Sequence, residues 1–406
     1  MRLLISFAAL FLSVALLQLG TGGVGPLDAL SGIQLGFTTA QVGLLGSAHF
    51  LGFFIGCWAA PRMMGTVGHS RSFAAFTAAG TIGILAHMMV VGPVAWTGLR
   101  IMSGFCIAGC FTIVESWLQA KVTNETCGRA MGVYRAVDIG GLLAAQLMIG
   151  VLTPAAYVSY NLLALVCCAA LVPLVLTRVA EPATPDAPRL RPQVAWKNSP
   201  LAAAGVIVAG LTTAAFRMVG PIYGVEVGLS VERIALFLAA FVAGGAVAQF
   251  PAGWLADKYD RRWVLIWLSA ASMAACGLTV ALATHGVAAV MLGSAIFGFM
   301  TFPIYSVSAA HAHDFATDDE RIELSAALMF LYALGAIASP FGVSWLIEAF
   351  GPSAMFAFIA FAHGVLIIYG VVRMRARPSG ATRNPYIYVP RTSFWVGRLL
   401  RRGRED

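Results

Sequence analysis

Apolar stretches long enough to cross a lipid bilayer recur along nearly the whole sequence, and that recurrence restricts the fold more than any motif. A hydrocarbon core ~30 Å thick takes about 20 apolar residues per helix. Such stretches run near 4–27, 39–60, 72–92, 94–120, 129–151 and 155–177. A second series runs near 200–222, 231–256, 263–284, 287–311, 322–348 and 351–374. Lipid offers backbone groups no hydrogen-bond partner, so each stretch is expected to be a helix. Charged residues make up only 11% of the chain, against roughly 25% in soluble domains. The expectation is an all-α polytopic membrane protein with twelve transmembrane helices. The run that follows Met1-Arg2 lacks a prompt small-residue cleavage site and reads as an uncleaved first helix.

Charge orients these helices. One set of connections holds Arg62, Arg71, Lys121, Arg129, Arg178, Arg189, Arg191, Lys197, Lys258, Arg261, Arg262 and Arg321. The opposite set holds Asp28, Glu226, Glu232 and Glu348, with Arg233 as its clear base. The positive-inside rule then puts both termini in the cytoplasm, which demands an even number of spans. The net charge of +8 follows the same asymmetry, so nucleic acid is not an expected partner. The expected surroundings are the lipid bilayer of a bacterial inner membrane, with the protein as a monomer. Seven cysteines are spread mostly through apolar stretches. Cys106 and Cys110 share a helix face, but no further ligand completes a metal site. No phosphate-cradling loop, catalytic triad or cofactor motif is visible, and the chain is not expected to be an enzyme.

The helices divide into two sets. The stretch from Arg178 to Pro200 is basic and carries Pro182, Pro185, Pro188 and Pro192, a composition that reads as an extended linker. The expected domains are residues 1–178, a cytoplasmic linker over 179–199, residues 200–374, and a basic tail over 375–406. The tail is expected to lie on the anionic cytoplasmic leaflet or to be disordered. The halves echo each other. Gly56-Cys57-Trp58-Ala59 and Gly253-Trp254-Leu255-Ala256 close their second helices, and Thr123-Asn124-Glu125-Thr126 and Thr317-Asp318-Asp319-Glu320 precede their fifth. Two parallel, pseudo-symmetric six-helix bundles are the major facilitator plan.

The resemblance to the major facilitator superfamily is carried by the run from Gly253 to Arg262, with Asp257-Lys258 and Arg261-Arg262 in its midst. It is similar to the family loop G-x-x-x-D-R/K-x-G-R/K-R/K, with Asp260 replacing the second Gly. The resemblance implies a conformational latch made by Asp257 with Arg261 and Arg262. In the first half Ala60 stands where that Asp would be. Gly98-Leu99-Arg100-Ile101-Met102-Ser103-Gly104 resembles the fourth-helix Arg motif. Glu115-Ser116-Trp117-Leu118 and Gly128-Arg129-Ala130-Met131-Gly132-Val133-Tyr134 are similar to a YcaD-like branch, which some bacterial riboflavin transporters also resemble.

Ionisable residues inside the apolar stretches are the candidate pathway groups, since each costs about 2.5–3.5 kcal/mol at the bilayer centre. Asp138 lies about 15 Å beyond Gly128 along a helix, and Arg135 shares its face. Glu115 is expected at a depth similar to Arg135. The three read either as a brace between the fourth and fifth helices or as a substrate or proton pathway. Arg100 and Arg217 lie toward the outer half and either snorkel to the headgroups or bind solute. His49 near mid-helix could titrate, His311 and His313 are expected at the interface, and His363 reads as a hydrogen-bonded core residue. Phe299, Phe302 and Tyr305, with Phe216, Tyr223 and Tyr332, either pack helices together or stack on a planar ring.

The expected function is secondary active transport of a small organic solute by alternating access, around a site on helices one, four, seven and ten with Asp138 from helix five. Uptake of a vitamin such as riboflavin leads. Proton-coupled efflux of amphipathic compounds and a non-transporting membrane sensor are the rivals.

Overall fold

The computed structural model describes residues 7–122, 124–176, 191–317 and 320–376. Regular structure among them is entirely helical, and the chain divides into two compact units on either side of the undescribed stretch 177–190. Most of the expected linker and tail (177–190 and 377–406), like Asp318 and Asp319, lie outside the described residues.

The first unit contains α1 (Ala8–Gly22), α2 (Val24–Gln34), α3 (Thr39–Val67), α4 (His69–Ala86), α5 (Pro93–Lys121), α6 (Asn124–Ile149), α7 (Tyr157–Ala169) and α8 (Leu171–Val175). The second contains α9 (Gln193–Asn198), α10 (Pro200–Glu226), α11 (Val231–Lys258), α12 (Arg261–Leu282), α13 (Val287–Thr301), α14 (Pro303–His313), α15 (Arg321–Phe350) and α16 (Ala354–Ala376). Taken as continuous spans, α1–α2, α7–α8 and α13–α14 bring each unit to six, with the six-residue α9 too short to count as one. Among the described residues, eleven spans are long and apolar enough to cross a bilayer. The twelfth, α4, opens with His69, Ser70, Arg71 and Ser72, which lowers its mean hydropathy.

Helix ends follow the local chemistry. Thr38 and Gln41 close a capping box at the start of α3. Ser199 accepts the Ala202 N–H at the start of α10, with Pro200 in the first turn where its missing N–H costs nothing. Asp260 accepts the Arg262 N–H at the start of α12.

Inside each unit the same contacts recur. In the first, α3 lies along α5 and α1 along α6; in the second, α11 lies along α13 and α10 along α15. Glycine sets the spacing. A Cβ on Gly104 of α5 would stand 2.0 Å from the His49 carbonyl oxygen of α3, and one on Gly298 of α13 would stand 2.1 Å from that of Phe241 on α11. These are matching helix pairs of the two units, so the internal repeat extends to the packing.

Three expectations are corrected. The first span does not end near residue 27: it breaks at Gly23 and continues as α2 to Gln34. Pro26 falls in the first turn of α2, where no helical bond is lost, and Asp28 is buried rather than placed in a loop. The linker is not extended throughout, because Gln193–Asn198 form a short helix that buries Ala195 and Asn198. Arg321 is no solvated loop base; it starts α15 and is buried.

Candidate functional site

Three of the candidate pathway charges of the first unit converge. Arg135 and Asp138 sit one turn apart on α6 and pair at 3.2 Å. Glu115 of α5 approaches Arg135 at 4.0 Å and accepts the Tyr134 hydroxyl at 2.8 Å. Gln18 of α1 donates its Nε2 to the other oxygen of Asp138. One network therefore ties three helices, and the i,i+3 spacing on α6 aims both charges at the same neighbours. It is not sealed: the Asp138 side chain is 19% exposed and that of Arg135 11%, while Glu115 is buried. Gln18 and Tyr134 escaped the sequence reading. Gln18 is an amide inside the first apolar stretch, and that was its available signal.

A second polar cluster was missed altogether. Asp28 of α2 meets the Arg100 Nε of α5 at 3.5 Å and the His87 Nε2, just beyond α4, at 3.4 Å. It also accepts the Tyr160 hydroxyl of α7 at 2.9 Å. His87 stacks on Tyr160, and its carbonyl takes the Trp96 indole N–H at 2.8 Å. Arg100 consequently does not snorkel outward; a buried carboxylate holds it inside the unit. The sequence placed Asp28 in a connection, so its pairing with Arg100 was invisible there.

The remaining candidates separate. His49 of α3 faces the Ser103 hydroxyl at 3.5 Å. His363 contacts the Thr212 hydroxyl at 3.1 Å, as expected of a hydrogen-bonded core residue. His311 and His313 are both buried within the unit, and His313 meets Ser325 at 3.2 Å. Arg217 is half-buried on α10. Phe216 is enclosed by Phe237, Phe241, Phe297 and Phe356, a packed ring cluster with no open face. Phe302 lies against Phe241 and Gly245, and Tyr305 stands edge-on to Tyr332 at 5.4 Å. Phe299 is half-buried beside an apolar hollow lined by Gly244, Val247 and Ile296.

At the loop motif, Arg261 is buried and bridges two carboxylates. It reaches Asp257 at 3.3 Å and Asp314 at 2.6 Å, and donates to the Ala310 carbonyl at 3.1 Å. Asp257 is half exposed. Arg262 turns to Asp260 instead, at 2.8 Å. Burial opposes ionisation of Asp260, yet the Arg262 side chain, backbone N–H and charge together hold its carboxyl below the ordinary value. Asp314 was not anticipated. No group of three metal-ligating side chains occurs among the described residues.

Two six-helix units built on one packing plan, apolar outside and carrying buried charge networks, make up the major facilitator fold. Solved structures share it. The nucleoside transporter NupG superposes with a TM-score of 0.73 at 14% identity, over 93% of this chain and 100% of that one. A bacterial homolog of the human lysosomal transporter Spinster, inward-facing and occupied, superposes with a TM-score of 0.67 at 15% identity, over 91% and 94%. The sequence model described as Major Facilitator Superfamily matches residues 202–401. An uncharacterized MFS-type transporter of Yersinia pestis (strain Pestoides F) is 26% identical over 86% of this chain and 90% of its own length. The uncharacterized MFS-type transporter YcaD of Escherichia fergusonii is 25% identical over the same shares. The chain has the major facilitator fold, its second half matches the Major Facilitator Superfamily model, and it is similar to the YcaD-like MFS-type transporters.

Proposed function

We propose that the protein is a secondary transporter that moves a small organic solute across the bacterial inner membrane by alternating access, as a monomer with both termini in the cytoplasm. The observation that carries this reading is the Gln18–Asp138–Arg135–Glu115–Tyr134 network. Charges at membrane depth are costly and are kept where they serve a pathway; here Asp138 retains access while its partners hold it in place. Asp138 and Arg135 are the pathway groups, with Glu115 as the fixed end of the network and His49, Arg100 and Arg217 as further polar groups inside the units. Asp257 and Arg261, joined to Asp314, form the conformational latch that the loop motif implies, with Arg262 beside it.

The substrate class follows as a planar heterocycle carrying a polar tail, imported as a vitamin such as riboflavin. Phe299, Phe302 and Tyr305 would supply the ring contacts, and a ring stacked on an aromatic side chain gains roughly 1–3 kcal/mol in other systems. NupG, which shares the fold, is a nucleoside transporter, and nucleosides belong to the same broad chemical class. The gene should restore growth of a riboflavin-auxotrophic bacterium at limiting vitamin, and Tyr305→Ala should raise the vitamin concentration required. No rescue by wild type present in the membrane would rule out riboflavin uptake.

A further inference from the structure

The second unit carries a small cavity at the end where the Gly253–Arg262 loop lies. Asn198, the last residue of α9, and Leu201, in the first turn of α10, form one wall. Arg262 of α12, His311 of α14, and Arg373 and Met374 near the end of α16 form the others. The cavity volume is about 40 Å³. A single water needs about 10–15 Å³ on the same measure, so the space suits a phosphate-sized group.

Its chemistry is that of an anion site. Arg262 is fixed in place by both oxygens of Asp260, which offset its charge. Arg373 has no such partner among the described residues, so the pair leaves the cavity net positive. The N-terminus of α10, a helix of 27 residues, opens beside it with its partial positive charge. Asn198 is an independent pointer: it is 8% exposed, and its Nδ2 is buried with no hydrogen-bond acceptor among the described residues. A donor buried in that way is costly unless a ligand supplies an oxygen. His311, also buried, completes the wall.

We propose that this cavity binds the phosphate group of an anionic ligand, with Arg373 and the Asn198 amide as donors and Arg262 oriented by Asp260. The phosphate has two sources to distinguish, an anionic phospholipid headgroup and free phosphate. Lys197 lies one residue from Asn198, and Trp196, exposed, lies next to it. A base and an aromatic together are what a headgroup region attracts.

The test uses the detergent-purified full chain and reads melting temperature. Inorganic phosphate, dihexanoyl phosphatidylglycerol and dihexanoyl phosphatidylcholine are titrated separately. A ligand that binds only the folded state raises the melting temperature in proportion to its affinity. Stabilisation by phosphatidylglycerol but not by inorganic phosphate or phosphatidylcholine assigns the site to a lipid headgroup; stabilisation by inorganic phosphate assigns it to the free anion. In either case Arg373→Gln and Asn198→Ala should each weaken the apparent affinity at least tenfold. Should one variant fold poorly, the other carries the comparison. A wild type that responds to neither probe, or equally to phosphatidylcholine, overturns the proposal, as do variants that bind like wild type.

Discussion

Arg100 and Asp28 lie 3.5 Å apart with both side chains almost wholly buried. Deleting one member of such a pair strands the other's charge, at a cost of about 3–5 kcal/mol. Asp28→Ala is therefore expected to lower the melting temperature sharply, and Asp28→Asn combined with Arg100→Gln to recover much of the loss. Equal melting temperatures for wild type and Asp28→Ala would show that the pair contributes no stability. The loop motif behaves differently. Asp257 is half exposed while Asp314 is buried against the same Arg261, so Asp257→Asn should fold normally and lower transport rate with little change in substrate affinity. A transport assay at equal membrane abundance that finds no difference would leave Asp257 as an ordinary loop residue. Residue-scale legibility was uneven for a physical reason. The Arg135–Asp138 pair could be read because i,i+3 spacing is a property of one helix. Asp28 with Arg100 and Arg261 with Asp314 are contacts between helices, and a single sequence carries no register for those.

The helix pairs α3–α5 and α11–α13 approach until the backbone of one meets a glycine of the other. Gly104→Leu would force α5 away from His49, and overpacking of this kind costs about 1–3 kcal/mol or more. The expected outcome is a lower melting temperature and reduced membrane abundance, whereas leucine at Gly98, which has open space about it, should be tolerated. If both substitutions behaved alike, close glycine packing would not be what holds these helices. Element positions were legible because apolar length is imposed by the bilayer. The breaks at Gly23 and Pro303 were not, since each falls inside a single stretch apolar enough to cross a membrane. The helix at Gln193–Asn198 was hidden by the surrounding prolines, although it contains none itself.

For the whole molecule, the six-plus-six plan was legible from the basic, Pro-rich interruption and the repeated loop strings, and the packing within each unit repeats in the same order. Orientation is a separate matter and can be read directly. A cysteine at Lys197, which is exposed on α9, should resist a membrane-impermeant thiol reagent applied to intact cells, and one at Glu226 should react; the reverse labelling would invert the topology. The substrate was less legible than the fold, because similar helices carry many solutes and the aromatic residues serve packing as readily as binding, as Phe216 does. The central claim is transport through a pathway that uses Asp138. Its most direct measurement reconstitutes purified wild type and Asp138→Asn in liposomes under an imposed proton gradient, with radiolabelled riboflavin and uridine as probes. Wild type is expected to accumulate a probe above protein-free vesicles. Asp138→Asn, folded and melting within a few degrees of wild type, is expected to lose that accumulation. Wild-type vesicles no different from empty ones, or a variant that accumulates solute as well as wild type, would contradict the account.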